Sequence, residues 1–254
     1  MTPAQTVVIP AELVRRLRSA QRVVVLTGAG ISAESGIPTF RDAMTGLWAR
    51  FRPEELATPE AYLRTPKLVW DWYAWRRSRV EEAEPNAGHH ALVELESRVP
   101  EFLLVTQNVD GLHARAGSQR IVELHGNIMR TKCFDCGRIA GDAKPQGDAI
   151  PPRCTHCDGM LRPDVVWFGE MLPAEALGEA MRASTESDVF LSVGTSTVVE
   201  PAASLPFYAW RGGAVVVEVN PEATPLTPQA SFSLHGSAAA VLPQLVAAAF
   251  SERG

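Results

Sequence analysis

Long apolar runs, basic stretches and internal repeats are all missing from this sequence of 254 residues. No apolar run approaches the roughly 20 residues that a membrane-spanning helix needs, so we expect no membrane partner. The net charge is −5 and no basic stripe is present, which argues against a nucleic-acid-binding protein. The N-terminus lacks the apolar core of a secretory signal, so we expect no secretory leader. An apolar content of 46% and a charged content of 21% favour an ordinary globular protein.

Cysteine is also missing from most of the chain, because all four cysteines fall in one cluster. None is left for a disulfide bond, which favours a reducing compartment, the cytoplasm. Cys133 and Cys136 form one CxxC pair, and after seventeen residues Cys154 and Cys157 form another. Two such pairs can surround one zinc ion and leave no open position, so the spacing predicts a structural zinc site rather than a redox pair or an iron–sulfur cluster. His156 is expected to be a solvated bystander.

A strand and a glycine-rich turn organise the first part of the chain. Residues 23–26 predict a short buried strand, and Gly28 and Gly30 follow, where the backbone can turn and approach a ligand without a Cβ in the way. Residues 31–35 predict the start of a helix whose N–H groups would suit a pyrophosphate. With Ala33 the turn also fits the relaxed dinucleotide fingerprint, although a glycine turn without a ligand is the alternative.

Further predicted strands alternate with predicted helices along the chain. This alternation is typical of an α/β fold with a Rossmann-like parallel sheet and helices on both faces. Small or polar residues follow five of the strands, and ligands of open parallel sheets bind at that edge, so we expect one composite site along it. The five strand ends are Gly28-Ala29-Gly30, Gln107-Asn108-Val109-Asp110, His125-Gly126, Gly194-Thr195-Ser196 and Asn220-Pro221-Glu222.

Two segments lie outside this alternation. Residues 11–21 carry three arginines that could belong to a mitochondrial presequence, but Leu13, Val14 and Leu17 predict a short amphipathic helix beside the first strand. Residues 47–80 are rich in aromatic residues and contain three prolines, which predict short helices joined by turns outside the main sheet.

In this order the motifs resemble those of the sirtuins, the NAD-dependent protein deacylases, from about residue 12 to residue 250. The matching stretches are GAGISAESGIPTFR at 28–41, TQNVDGLH at 106–113, ELHGN at 123–127, the two CxxC pairs, VVWFGE at 165–170 and GTS at 194–196. The resemblance implies a Rossmann-type NAD-binding domain made of residues 1–43, 86–127 and 164–254. A helical insertion, residues 44–85, and a zinc-ribbon insertion, residues 128–163, would together form a smaller domain.

The resemblance also implies how the ligands bind. NAD would enter the cleft between the domains from one side, and the acylated lysine of a substrate protein from the other; we expect the protein to be a monomer. Asn108 and Asp110 would shape the nicotinamide pocket and take part in catalysis. The residues expected to bind NAD are Gly28, Ala29, Gly30, Ala33, Thr39, Phe40, Arg41, Trp48, Gln107, Asn108, Asp110, Gly194, Thr195, Ser196, Asn220, Pro221, Glu222 and Ala238.

His125 is the residue predicted to act as the general base. A histidine at a strand end beside a cofactor pocket can titrate near neutrality, although a lone histidine is more often a core residue bonded to the backbone. The resemblance implies that the substrate's acyl oxygen attacks the nicotinamide ribose, that nicotinamide leaves, and that His125 accepts a proton from a ribose hydroxyl. The acyl group would leave on ADP-ribose. The histidines expected to be structural are His89, His90, His113 and His235.

The acyl preference depends on a helix within residues 70–77. Tyr73 and Arg76 lie three residues apart and therefore share a helix face, where a phenol and a guanidinium could bind a carboxylate. Spacing alone favours a helix with a tryptophan face and solvated arginines. The resemblance favours the first interpretation, because Tyr73-x-x-Arg76 matches sirtuins that remove succinyl, malonyl and glutaryl groups, and Ala57 matches a small residue that widens their pocket. Deacetylation would be retained. The substrate peptide would pair with Val166, Trp167, Phe168 and Gly169.

Two other functions share these motifs. A sirtuin-fold mono-ADP-ribosyltransferase would use the same cofactor chemistry up to nicotinamide release, and Tyr73 with Arg76 argues for deacylation instead. A non-catalytic NAD or ADP-ribose sensor could use the zinc module as a docking surface. The intact His125, Asn108 and Asp110 argue against a sensor.

Overall fold

A six-stranded parallel sheet forms the centre of the protein. The computed structural model describes residues 7–37, 51–52, 55–140 and 150–251. The strands are β1 (Arg22–Thr27), β2 (Glu101–Thr106), β3 (Ile121–Glu123), β4 (Gly126–Cys133), β5 (Leu161–Val165), β6 (Val189–Val193), β7 (Val215–Asn220) and β8 (Phe232–His235). Six of them form the sheet, in the order β3-β2-β1-β6-β7-β8, and every neighbouring pair is parallel. β4 and β5 form a separate antiparallel pair.

Helices cover both faces of this sheet, which confirms the predicted α/β fold. The helices are α1 (Ala11–Ser19), α2 (Ala29–Ser32), α3 (Pro59–Arg64), α4 (Pro66–Glu82), α5 (Ala87–Arg98), α6 (Leu112–Ala116), α7 (Ala174–Glu186), α8 (Leu205–Arg211) and α9 (Ala238–Phe250). Successive residues of β1 point to opposite faces: Val23 and Val25 pack in the core with α1, α5 and α9, whereas Val24 and Leu26 pack with α7 and α8. Within the described residues, none of these helices has the length and apolarity required to cross a bilayer.

Most of the predicted helices and strands are present, and the differences occur where tertiary contacts determine the local structure. The helix predicted within residues 11–21 is α1, which buries Leu13 and Leu17 against the sheet as expected, whereas Val14, also predicted to face inward, is half-buried. The sequence prediction missed α6, α8, β4 and β8, which are short or lack a strong apolar period. Strand β5 ends at Val165, the first residue of the VVWFGE motif, and it pairs with β4 rather than joining the parallel sheet.

The helical insertion is more regular than its prolines suggest. Pro59 and Pro66 stand in the first turns of α3 and α4, where a missing N–H costs nothing, so the second proline begins a 17-residue helix instead of interrupting one. Trp72 and Tyr73 of α4 are fully buried in a second core that also holds Ile128 of β4 and Val165 of β5. The predicted division into two domains stays a prediction; the β4–β5 pair crosses two of its proposed boundaries.

The turns after β1 and β6 touch so closely that only glycine fits. A Cβ on Gly30 would lie 2.7 Å from the Cα of Gly194, and a Cβ on Gly28 would lie 2.8 Å from the oxygen of Gly194. Gly194 itself has φ +59°, a left-handed conformation that favours glycine. The N–H groups of Gly28 and Gly30 bind the carbonyls of Val193 and Gly194, at 3.1 and 2.8 Å. The absence of a Cβ at these two glycines makes room for the neighbouring turn, and their approach to a ligand stays a prediction.

Replacing Gly30 by alanine should therefore destabilise the fold. We expect Gly30→Ala to lower the free energy of unfolding by about 1–3 kcal/mol, because its methyl group must push the β6 turn away. Gly178→Ala is the matched control: it lies on α7 with no atom within 4 Å of the added Cβ, and it should raise the free energy by about 0.5–1 kcal/mol. Urea unfolding of both variants measures the difference. Equal stability of the two would contradict the contact.

Candidate functional site

A buried polar network lies under the turn that follows β1. The amide nitrogen of Asn108 donates to the Gly28 carbonyl at 3.0 Å and to the Ser32 hydroxyl at 3.1 Å. Ser32 in turn donates to Asp110 at 2.8 Å, and the other Asp110 oxygen accepts the N–H of Leu112 at 2.9 Å. Burial raises the pKa of Asp110, and the two hydrogen bonds that it accepts oppose this shift. The network brings Gly28, Asn108 and Asp110 together, and Ser32 is the member that sequence analysis missed.

A second layer of buried side chains supports this network from inside the sheet. Thr27 ends β1 and Thr106 ends β2, and their hydroxyls are hydrogen-bonded at 2.8 Å. Thr106 also accepts the Asn108 N–H at 3.0 Å, and Thr27 lies 2.9 Å from Nε2 of His113. Burial lowers the pKa of His113 to about 3. A neutral, fully buried ring fits the structural role expected for His113.

His125 lies beside these loops and is oriented by a backbone contact. Its Nδ1 lies 2.8 Å from the Gln107 carbonyl oxygen. A carbonyl can only accept, so Nδ1 carries the proton and Nε2 keeps its lone pair. Among the described residues nothing is hydrogen-bonded to that Nε2. Burial lowers the pKa of His125, and the bond to Gln107 partly offsets this. The neutral ring is therefore the stable form at pH 7.

The backbone at His125 and Gly126 is constrained by its contacts with residues 164–166. Gly126 has φ +78°, and a Cβ there would lie 2.2 Å from the Asp164 carbonyl oxygen, so only glycine allows β4 to begin at this point. The His125 carbonyl accepts the N–H of Val166 at 2.9 Å. The base candidate is thus bonded directly to the segment predicted to hold the substrate peptide.

The remaining residues predicted to bind NAD differ in whether they contact one another. Thr195 accepts a long 3.4 Å bond from Gln107, and its carbonyl accepts the amide of Asn220 at 3.3 Å, which joins the ends of β2, β6 and β7. Four other residues at or near this edge are exposed, and within the described part of the chain their side chains make no hydrogen bonds of this kind: Ala33, Ser196, Pro221 and Glu222. Ala238 is buried against Gly88 of α5. The residues Thr39, Phe40, Arg41 and Trp48 lie outside the described part of the chain.

Tyr73 and Arg76 face the interior rather than solvent. Tyr73 is 1% exposed, and its hydroxyl accepts the indole N–H of Trp167 at 2.9 Å. Arg76 is half-buried, and its guanidinium carbon lies 4.9 Å from the centre of the Trp72 ring and 5.6 Å from the centre of the Tyr73 ring. Burial lowers the pKa of Arg76 and raises that of Tyr73. The interpretation of α4 as a helix with solvated arginines therefore does not describe Arg76.

Ala57 connects this region to the predicted peptide segment. It is 3% exposed, and its carbonyl accepts the N–H of Phe168 at 3.0 Å. The side chain of Phe168 is 50% exposed, whereas that of Trp167 is buried. The segment thus presents alternate side chains outward and inward, with Ala57 on the inner side.

The four cysteines form one compact cluster, as their spacing predicts. Their sulfur atoms all lie within 4.8 Å of one another and are placed to bind one zinc ion. The two turns repeat one geometry: in each, the first cysteine's N–H and carbonyl bond to residues five and four positions later. The residue four positions later is left-handed in both turns, Gly137 at φ +71° and Asp158 at φ +61°. His156 is exposed, consistent with a bystander.

The chain is similar to proteins of a known family. A family model described as "Sir2 family" matches residues 28–201. A protein of Thermus thermophilus named NAD-dependent protein deacylase is 60% identical over 228 residues, which are 88% of this chain and 89% of the relative. The motifs that gave the resemblance lie within or close to the matched range.

Two solved structures superimpose on almost the whole chain. A crystal structure of a Sir2 homolog–NAD complex has a TM-score of 0.88 at 47% identity, covering 94% of this chain and 93% of that chain. A structure of Sir2 bound to acetylated peptide has a TM-score of 0.82 at 31% identity, covering 92% of this chain and 95% of that chain.

Loss of one cysteine should release the metal and destabilise the part of the chain around the four-cysteine cluster. Cys154→Ser should lose most bound zinc and lower the free energy of unfolding by about 3 kcal/mol, because few apolar residues surround the cluster. His156→Ala is the matched control within the same turn and should keep both. Metal analysis and thermal unfolding measure the two effects. Full zinc content in Cys154→Ser would contradict the four-cysteine site.

Proposed function

The chain belongs to the Sir2 family, and on this premise we propose that it is an NAD-dependent protein-lysine deacylase that removes succinyl and malonyl groups as well as acetyl groups. The deacylase activity is supported by relatives of that name and by the edge-of-sheet network around Asn108 and Asp110. The acyl preference rests on one observation: Tyr73 is buried beside Trp167, and the half-buried Arg76 lies over the rings of Trp72 and Tyr73.

The carboxyl edge of the sheet offers suitable groups for NAD. NAD supplies a ribose carbon from which nicotinamide can leave. Asn108 would be held by its amide bonds to Gly28 and Ser32, and Asp110 by those from Ser32 and Leu112, so both side chains are preorganised. Among the described residues the N–H of Ala29 takes part in no hydrogen bond, and it is the turn's available donor.

His125 is suited to accept a proton from a hydroxyl of the ligand. Its Nδ1–H is committed to the Gln107 carbonyl, which fixes the tautomer and leaves the Nε2 lone pair for the substrate side. Its lowered pKa keeps the ring neutral, the form that a base needs. The bond from Val166 to the His125 carbonyl couples this base to the segment that would pair with the peptide.

Tyr73 and Arg76 together suit a carboxylate at the far end of an acyl chain. The Tyr73 oxygen accepts the indole N–H of Trp167, and its own proton remains the group that it can donate to a ligand. A guanidinium and a phenol O–H can then bind the same carboxylate, an interaction that is stronger in a dry pocket than in water. An acetyl group would leave both donors without this partner and should react less well.

One product analysis separates the proposed activity from the other two functions. The enzyme would be incubated with NAD and with succinyl-, acetyl- or unmodified-lysine peptide, and the products weighed. Free lysine peptide and acyl-ADP-ribose support deacylation. ADP-ribose on protein or peptide supports the transferase, and unchanged NAD supports a sensor.

Removal of the Arg76 charge should separate the two acyl substrates. Arg76→Met should lower kcat/KM for succinyl peptide by about 10- to 100-fold, the worth of a charge-assisted hydrogen bond, and keep most deacetylation. Arg77→Met is the matched control: Arg77 binds the Ile128 carbonyl at 2.6 Å, so its loss should affect stability and leave the succinyl-to-acetyl ratio unchanged. Equal loss of both activities in Arg76→Met would make Arg76 structural.

Replacement of His125 should abolish both activities without unfolding the protein. His125→Tyr should lower kcat about 10²- to 10⁴-fold on either peptide, while His90→Tyr, at an exposed position on α5, should not. The wild-type kcat/KM should rise with pH through the His125 pKa, and since burial lowers that pKa, the acidic limb should lie below pH 6.5. Normal turnover by His125→Tyr would contradict the assignment.

A further inference from the structure

Trp167 belongs to the segment predicted to pair with the substrate peptide, yet its side chain points elsewhere. The residue is only 2% exposed, and its ring lies in the core formed by α3, α4, Ile128 and Val165. Its indole Nε1–H donates to the Tyr73 hydroxyl at 2.9 Å. The indole N–H of Trp167 is therefore directed to Tyr73, while its backbone N–H and carbonyl are both bonded to Glu170.

A partly buried ion pair contacts Trp167 both at its indole ring and at its backbone. The guanidinium carbon of Arg162, a residue that is 3% exposed, lies 3.3 Å from the centre of the Trp167 ring. The same guanidinium binds both carboxylate oxygens of Glu170, at 2.5 and 3.0 Å, and the Val165 carbonyl at 2.6 Å. Glu170 accepts the Trp167 backbone N–H at 2.7 Å. The ring plane and the main chain of Trp167 are thus fixed by one pair of charges.

We infer that Trp167 is a positioning residue for acyl specificity: held by Arg162 and Glu170, its indole N–H orients the Tyr73 hydroxyl so that the phenol proton is directed to an acyl carboxylate. This inference rests on the proposed function. A phenol O–H rotates easily, and its direction depends on which donors occupy its lone pairs. The Trp167 N–H occupies one of them, so it acts on the substrate through Tyr73 rather than by contact.

Loss of the indole N–H should affect succinyl and acetyl substrates differently. Without the indole N–H, Tyr73 keeps its hydroxyl but loses the contact that orients it. An acidic acyl group should then lose more binding than an acetyl group, which has no carboxylate to accept the phenol proton. A residue that only fills space would affect both substrates alike.

Trp167→Phe tests this difference between the substrates, because it keeps an aromatic ring for Arg162 to stack on and removes only the N–H and part of the ring. The succinyl-to-acetyl ratio of kcat/KM should fall about 2- to 10-fold, the effect of one hydrogen bond, mainly through KM for the succinyl peptide. Tyr62→Phe is the matched control. It removes a 2.5 Å buried hydrogen bond to the Leu161 carbonyl, its ring lies 5.2 Å from that of Trp167, and it leaves the Trp167–Tyr73 bond intact. Its ratio should not change.

A double-mutant cycle with Tyr73→Phe isolates the contact. When the Tyr73 hydroxyl is absent, Trp167→Phe should cause no further fall in the ratio. An additional fall of the same size in the double variant would overturn the inference, as would an unchanged ratio in Trp167→Phe while the wild type prefers succinyl peptide. A wild type without any preference for succinyl over acetyl peptide would instead contradict the proposed acyl preference, and the inference with it.

Discussion

The contact between the turns after β1 and β6 is the constraint on which the site depends. Gly30 and Gly194 approach so closely that neither could carry a side chain, and the N–H of Gly30 binds the Gly194 carbonyl. This contact closes the gap between two neighbouring strands at their carboxyl ends. Gln107 then reaches Thr195, Asn220 reaches the Thr195 carbonyl, and Asn108 reaches the Gly28 carbonyl. The polar groups at the ends of four strands are thereby held within hydrogen-bonding distance of each other.

Much of this arrangement could be predicted from the sequence because it follows from local patterns. Runs of β-branched residues such as 23–26 identify strands, and the alternation with helices identifies a parallel sheet whose polar ends share an edge. The cysteine spacing equally predicts the sulfur cluster, since a CxxC turn is a local geometry. His125 could be singled out because a histidine followed by glycine occurs at one of those strand ends.

Other features could not be predicted, because they depend on residues far apart in the chain. The glycines after β1 indicate a close approach, but the sequence does not say that Gly194 is what approaches. Tyr73 and Trp167 are 94 residues apart, and neither helical period nor strand alternation reveals that an indole donates to a phenol. The ion pair of Arg162 and Glu170 spans a strand and the loop after it, so the periodicity of β5 does not reveal it. Helix α4 differed from expectation because a proline at its first turn begins the helix.

His125 is attached to the protein at two points that belong to different sheets. Its backbone lies between β3 and β4 and carries the bond from Val166, while its imidazole is fastened to the Gln107 carbonyl at the end of β2. The direction of the ring therefore depends on how the antiparallel pair lies against the parallel sheet. With His125 as the proposed base, a displacement between the two sheets would move the Nε2 lone pair relative to the ligand.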